Sequence, residues 1–118
     1  MTEPKYLFME NDIKLWLADI KRSIIEIYDF LPEEKNFLIF QKDLKTRKAV
    51  ERNLEIIGEA LNRILRVNPN ILITNSRRIV NTRNRIIHGY DTVSEDIIWA
   101  IVIKELPKLE EEIDRLLL

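Results

Sequence analysis

The sequence predicts an all-α fold, an antiparallel up-and-down bundle of four to five helices. Apolar residues recur at steps of three and four over long segments, which is typical of amphipathic helices. The 118 residues include two glycines and four prolines, so the chain is poor in the residues that mark tight turns. Its length, with 46% hydrophobic and 33% charged residues, predicts one globular domain over residues 1–118.

The first helix is predicted over residues 12–31, with Asn11 or Asp12 as its N-cap and Pro32 as its stop. Its apolar positions follow the helical repeat and comprise Ile13, Trp16, Leu17, Ile20, Ile24, Ile27, Tyr28 and Leu31. Residues 33–42 form a connector, whose apolar residues 37–40 are expected to lie on the bundle as a short helical turn, out of water.

Three further helices are predicted, over residues 43–66, from Asn75 or Ser76 to Ile87, and over residues 95–117. Gly58 lies inside the second, where a glycine costs about 1 kcal/mol relative to alanine, and we interpret it as a point of close helix approach. Residues 71–74 are expected to form a loop or short extended piece, with a helical turn as the alternative. Pro107 is expected to bend or break the last helix near Ile103.

The composition excludes several classes of site. The chain has no Cys, which excludes disulfides, thiol catalysis and zinc ribbons. With a single His in addition, the sequence predicts neither a transition-metal site nor a cofactor. No apolar stretch reaches the roughly 18 residues that a membrane span needs. Acidic residues near the N-terminus argue against a signal peptide, so a cytoplasmic location is expected.

The net charge of −1 conceals a segregation of charge along the chain. Residues 60–90 contain no Asp or Glu but six arginines, so this segment carries +6 and the remainder −7. Arginine is the side chain best suited to bidentate contact with phosphate. The alternative is that these arginines pair with carboxylates of other helices, so the charge pattern alone leaves both interpretations open.

The only histidine follows the predicted third helix, in a segment that contains Arg83, Asn84, Arg85, His88 and Tyr90. Asn84 and His88 are four residues apart and share a helix face, with Arg85 beside them. In a regular helix, Arg83 points away from His88. Three ways of joining them in one site stay open: the helix loosens at Gly89, the Arg83 side chain swings round, or another chain completes the site. Imidazole can move a proton near neutral pH and guanidinium can stabilise a phosphate, which are the requirements of metal-free RNA cleavage.

RNA cleavage uses both a general base and a general acid, yet the chain has one His. A homodimer that apposes two copies of the motif would supply two. The structural alternative is that His88 packs between helices and the arginines are merely solvated. Glu59 could act as a catalytic carboxylate, but a helix-surface or motif-supporting contact is the preferred interpretation. Trp16 and Trp99 lie on apolar faces, which favours packing over base stacking.

The segment from Arg83 to Tyr90 resembles the Arg-x4-His-x-Tyr signature of HEPN-domain ribonucleases, specifically the HepT-like toxin family. Residues 47–60, with a Gly-Glu-Ala run at Gly58, resemble the family's second helix. Similarities also fall at Asn68, Pro69, Trp99, Leu106, Pro107 and Leu109. No aromatic residue precedes the third helix at positions 74–76, where many relatives have one.

This resemblance implies a HEPN-like bundle that dimerises with its motifs facing each other across an RNA-cleaving cleft. It also implies a partner, a small nucleotidyltransferase antitoxin that adds AMP to the motif tyrosine. By the same resemblance, His88 is the candidate general base or acid and Arg83 stabilises the phosphate. Asn84 and Arg85 would position His88 or the substrate, and Tyr90 would accept the AMP.

A second hypothesis is a non-catalytic helical module that docks a nucleotidyltransferase and presents nucleotide or substrate to it. The same Arg and His residues would then hold a phosphate without breaking a bond. A purely structural helical dimer is disfavoured because it leaves the motif unexplained.

Overall fold

The computed structural model describes residues 4–87 and 94–118, and throughout these ranges the chain is helical or in turns and loops, without strands. Four long helical stretches and one short helix form the bundle, as the apolar spacing predicts. The elements are α1 (Pro4–Phe30), α2 (Phe37–Lys42), α3 (Leu44–Val67), α4 (Ser76–Ile87), α5 (Glu95–Ala100) and α6 (Leu106–Leu116), with a π-helical segment (Ile101–Glu105) joining the last two. None of the described helices is long and apolar enough to cross a membrane.

Helix α1 begins at Pro4, eight residues before the predicted start. Asn11 and Asp12 therefore lie inside the helix, and their prediction as N-caps is wrong. Proline suits the first turn of a helix because its missing N–H would have no intrahelical partner there. The predicted end before Pro32 is confirmed. Among residues 10–30, Leu17 is the first buried position, and Ile13 and Trp16 pack against the core. The periodicity therefore reports where α1 contacts the core and not where the helix begins.

The connector forms α2, and the predicted helical turn is confirmed. Phe40 is buried and packs against Trp99 in a tilted arrangement with ring centroids 5.0 Å apart, which confirms packing as the role of that tryptophan. Leu38 and Ile39 remain 62% and 55% exposed, so the expectation that residues 37–40 all leave water is wrong. A six-residue helix has room to bury one side, and these two residues lie on the other.

Helix α3 is capped by Asp43, whose carboxylate accepts hydrogen bonds from the Thr46 backbone N–H (3.1 Å) and hydroxyl (2.6 Å). These bonds hold the pKa of Asp43 below its usual value. The loop predicted over residues 71–74 is part of a longer loop over residues 68–75, and Asn75 has a positive φ of 60° just before α4. The Thr74 backbone N–H and hydroxyl donate to Glu112 of α6, at 3.0 and 2.8 Å, which ties the start of α4 to the last helix.

The π-helical segment lies where Pro107 was expected to disturb the last helix. The Leu106 N–H donates to the Ile101 carbonyl, five residues back, so the turn is wider than an α-helical turn. Proline at position 107 cannot donate a hydrogen bond to Ile103, and the wide turn absorbs this defect without ending the helix. The disturbance near Ile103 is thus confirmed, and its form is a change of helical pitch.

The described helices enclose one hydrophobic core. Helix α3 lies at its centre, packed against both α1 and α4, while α1 also contacts α6. The residues with no exposed surface come from α1, α3, the π-helical segment and α6, and include Ile20, Ile24, Ile27, Val50, Ile57, Leu61, Ile64, Ile101, Leu106 and Ile113. This arrangement places the C-terminal turn of α4 against the middle of α3.

Candidate active site

The structure describes three of the five predicted site residues. Arg83, Asn84 and Arg85 occupy the end of α4, whereas His88 and Tyr90 lie outside the described residues. The C-terminal turn of α4 thus presents two guanidinium groups and an amide directly before the histidine in the sequence.

Arg83 points towards α3 and packs against Gly58. A Cβ atom added to Gly58 would overlap the Cβ and Cγ atoms of Arg83. The interpretation of Gly58 as a point of close helix approach is therefore confirmed, and the residue that approaches is the motif arginine. Without a side chain at position 58, the stem of Arg83 can lie directly on the α3 backbone.

The Arg83 guanidinium is held at both terminal nitrogens. Nη2 forms an ion pair with Glu59, and Nη1 donates to Asn84 Oδ1 at 2.7 Å. Nε is buried and has no hydrogen-bond partner among the described residues. With its side chain 20% exposed, Arg83 is largely buried for a charged residue, so these contacts fix its orientation.

Glu59 contacts the motif, as the preferred interpretation of this residue predicts. Its Oε2 pairs with Arg83, and its Oε1 accepts a hydrogen bond from Arg63 Nε at 3.1 Å. Arg63 follows Glu59 by four residues on the same helix, a spacing at which side chains meet. The involvement of Arg63 was not predicted, although its i,i+4 spacing from Glu59 was a visible signal in the sequence.

Arg83 borders a cavity of about 250 Å³ that is lined mainly by residues of α1 and α3. Trp16 of α1, partly buried against the core, lines one side. The charged residues of the lining carry both signs and comprise Asp19, Arg52, Glu55, Glu59, Arg63 and Arg83. This cavity therefore offers an aromatic wall and both hydrogen-bond donors and acceptors next to the motif arginine.

Arg85 lies on a different side of α4. It borders a wider cleft, of about 730 Å³, together with Arg78, Asn81, Thr82 and Ile97. Arg78 pairs with Glu105 at 3.3 Å, and Arg85 is exposed. The two motif arginines therefore do not act as one clamp in this structure, because Arg83 is anchored on α3 and Arg85 faces solvent.

The six arginines of the segment without acidic residues divide into two groups. Three of them, Arg63, Arg78 and Arg83, pair with carboxylates that lie outside that segment. Arg66, Arg77 and Arg85 are exposed, and no carboxylate of the described residues lies within 4.0 Å of their guanidinium nitrogens. The interpretation as pairs with carboxylates thus applies to three of the six arginines, and phosphate contact stays a prediction for the other three. In the ranges 4–87 and 94–118, no group of three or more His, Asp or Glu residues could hold a metal ion.

Comparison with known proteins gives consistent matches. A "Putative RNase MJ0127" of Methanocaldococcus jannaschii is 34% identical over 113 residues, which cover 92% of this chain and 89% of the relative. The "Probable ribonuclease HepT" of Thermococcus cleftensis is 34% identical over 112 residues, covering 92% of this chain and 98% of the relative. A "Putative RNase MJ1380" of M. jannaschii is 32% identical over 109 residues, covering 89% of this chain and 96% of the relative. No solved structure shows a significant match.

A family model described as "Ribonuclease HepT-like" matches residues 20–116, which include α3, α4 and the whole of the motif. The matched range and the identities over most of the chain agree with the resemblance found in the motif. This chain therefore belongs to the HepT-like ribonuclease family.

Proposed function

We propose that this protein is a metal-independent endoribonuclease, the toxin component of a toxin-antitoxin pair, in which Arg83 and His88 are the catalytic residues. The observation that supports this most is the anchoring of Arg83 on α3 in a chain that belongs to a ribonuclease family. A guanidinium fixed before substrate arrives needs no reorganisation when charge develops on a phosphate.

The proposed reaction is attack of a ribose 2′-OH on the adjacent phosphorus. The 2′-O–P bond forms as the P–5′-O bond breaks, giving a 2′,3′-cyclic phosphate and a 5′-hydroxyl end. One His88 takes the proton of the 2′-OH, and a second, protonated His88 gives a proton to the leaving 5′-oxygen. Arg83 stabilises the negative charge on the phosphate oxygens, while Asn84 and Arg85 position the histidine or the RNA.

The requirement for two histidines leads to the proposed homodimer with a shared cleft, because each chain contributes one. Light scattering at micromolar concentration is expected to give the mass of a dimer. Mixtures of wild-type and His88→Ala chains provide a further test. Because the shared cleft needs the histidine of both chains, a mixed dimer should be inactive, and activity should fall with the square of the wild-type fraction; a linear fall would indicate that each chain acts alone.

The proposed partner is a nucleotidyltransferase that transfers AMP from ATP to the Tyr90 hydroxyl and releases pyrophosphate. An AMP group on Tyr90, two residues from His88, would add bulk and negative charge where the RNA phosphate must bind. Mass spectrometry of the protein co-expressed with the nucleotidyltransferase should show the adduct on Tyr90. The Tyr90→Phe variant should carry none and should resist neutralisation.

The decisive experiment is cleavage of a labelled RNA by the purified protein in the presence of EDTA. Cleavage should persist in EDTA and should yield the cyclic phosphate end, and His88→Ala should abolish it. A wild-type protein that binds RNA or nucleotide without cutting would instead support a binding module that docks the nucleotidyltransferase. Loss of activity in EDTA, restored by Mg²⁺, would contradict the metal-independent mechanism.

A further inference from the structure

Four side chains of α3 and α4 form a continuous chain of charge-assisted hydrogen bonds that ends at the motif. Arg63 Nε donates to Glu59 Oε1, Glu59 Oε2 pairs with Arg83 Nη2, and Arg83 Nη1 donates to Asn84 Oδ1. We call this set of residues the ion-pair chain. Each carboxylate oxygen of Glu59 thus contacts one arginine. Arg63 therefore fixes the orientation of the carboxylate that pairs with Arg83.

The ion-pair chain fixes the guanidinium plane of Arg83 without exhausting its donors. A guanidinium has five N–H groups, and each terminal nitrogen carries two. Glu59 occupies one N–H of Nη2 and Asn84 occupies one of Nη1, which leaves a further N–H on each terminal nitrogen. A phosphate could therefore bind Arg83 while both of these contacts remain.

We propose that Glu59 is a positioning residue for catalysis, acting through the orientation of Arg83. This inference rests on the proposed ribonuclease function, and it assigns a role to a side chain 24 residues before Arg83 in the sequence. The packing of Arg83 on Gly58 fixes the stem of the arginine, and Glu59 fixes its charged end. Without Glu59, Arg83 loses its partner on α3, and a misplacement of about 1 Å can cost up to about 100-fold in rate.

The charge of the ion-pair chain gives this role a distinctive kinetic signature. Arg63, Glu59 and Arg83 together carry +1, and the Glu59→Gln substitution raises this to +2. The added positive charge should hold RNA at least as well as before, whereas the loosened Arg83 should stabilise the transition state less. We therefore expect kcat to fall by about 10- to 100-fold with KM unchanged or lower. General damage to the site would instead raise KM.

Two comparisons separate positioning from other effects of the substitution. Glu51→Gln is the matched control, because Glu51 lies on the same helix as Glu59, pairs with Lys48 at 3.5 Å and is not part of the cavity lining. It should leave kcat within about twofold of wild type. In an Arg83→Ala background, Glu59→Gln should cause no further loss, because its effect passes through Arg83. An additional tenfold loss in that background would overturn the proposal.

A spectroscopic measurement tests the proposal without relying on activity. In the wild type, the ¹⁵N–¹H signals of the Arg83 guanidinium should show slow exchange and restricted rotation, and in Glu59→Gln they should resemble those of an exposed arginine. Circular dichroism and thermal unfolding of the variant establish that it is folded. If the wild type cuts no RNA, the ribonuclease function fails while the spectra still decide whether Glu59 holds Arg83. Unchanged spectra, or unchanged kcat in an active enzyme, would overturn the role of Glu59.

Discussion

Gly58 and Arg83 are in direct contact, and the stem of the arginine occupies the space that any side chain at position 58 would need. The motif arginine thus depends on the absence of a Cβ atom in the middle of a neighbouring helix. This relationship makes a helix-interior glycine part of the candidate active site, although it offers no chemical group of its own.

Replacing Gly58 with alanine should therefore lower both stability and RNA cleavage. Alanine favours the helix by about 1 kcal/mol, but overpacking costs about 1–3 kcal/mol. Because the overlap involves the Cβ of Arg83, rotation of the side chain cannot relieve it, and α4 must shift. Urea unfolding and cleavage rates test this expectation, with Lys48→Ala, at an exposed position of α3, as the control. A Gly58→Ala protein more stable than wild type would contradict the close contact.

Arg83 and Arg85 should respond differently to substitution by alanine, because α4 places them on different sides. Arg83→Ala should reduce the cleavage rate by about 10²- to 10³-fold, as expected for a group that stabilises transition-state charge. Arg85→Ala should mainly weaken RNA binding and reduce the slope of log K against log salt by about 0.7 for single-stranded RNA. Fluorescence anisotropy over a salt series and single-turnover cleavage distinguish the two effects. Identical behaviour of the two variants would argue for a shared clamp.

The core should be most sensitive where α3 meets its neighbours. Ile57 has no exposed surface, so Ile57→Ala should lower the free energy of unfolding by about 2–5 kcal/mol. Ile39 on α2 is 55% exposed, and the same substitution there should change stability by less than about 0.5 kcal/mol. Chemical denaturation of both variants provides the comparison. Equal losses would mean that the exposed face of α2 is covered in solution.

The N-cap of α3 should make stability depend on pH in the acid range. The hydrogen bonds from Thr46 lower the pKa of Asp43 in the folded state, so the ionised carboxylate is stabilised more in the folded protein than in the unfolded chain. This contribution is fully present above the unfolded pKa of about 3.9 and is lost as the pH falls through the lower folded value. Urea midpoints of the wild type should therefore fall below about pH 4 more steeply than those of Asp43→Asn. Parallel curves for the two proteins would exclude Asp43 as a source of the acid sensitivity.

The helices were predictable wherever the chain itself marks their ends. Asp43 caps α3 and Pro32 follows α1, and the predicted boundaries at these points agree with the structure to within one or two residues. The start of α1 was not predictable from apolar spacing, because the regular spacing begins at Ile13 whereas the helix begins at Pro4. The pitch of the π-helical segment could not be read either, since the sequence shows a proline but not how the backbone accommodates it.

The candidate site was predictable as a set of chemical groups but not as a geometry. Angular spacing along α4 indicates that Arg83 points away from the direction of His88, yet it cannot tell which helix lies there. The contacts with Gly58 and Glu59 join residues about 24 positions apart, so they depend on how α3 and α4 pack. The Arg78–Glu105 and Arg83–Glu59 pairs likewise depend on tertiary structure, whereas the Arg63–Glu59 pair lies within one helix.

The wide turn at Ile101–Glu105 has a consequence for comparing this chain with its relatives. A π-helical turn contains one residue more than the α-helical turn it replaces, so it is equivalent to a single-residue insertion within an otherwise continuous helix. The insertion keeps Ile98 and Leu109 directed at the same core, on either side of the wide turn. Family members that lack the wide turn are expected to be one residue shorter between these positions, and a gap placed there in an alignment would reflect backbone pitch and not the loss of a loop.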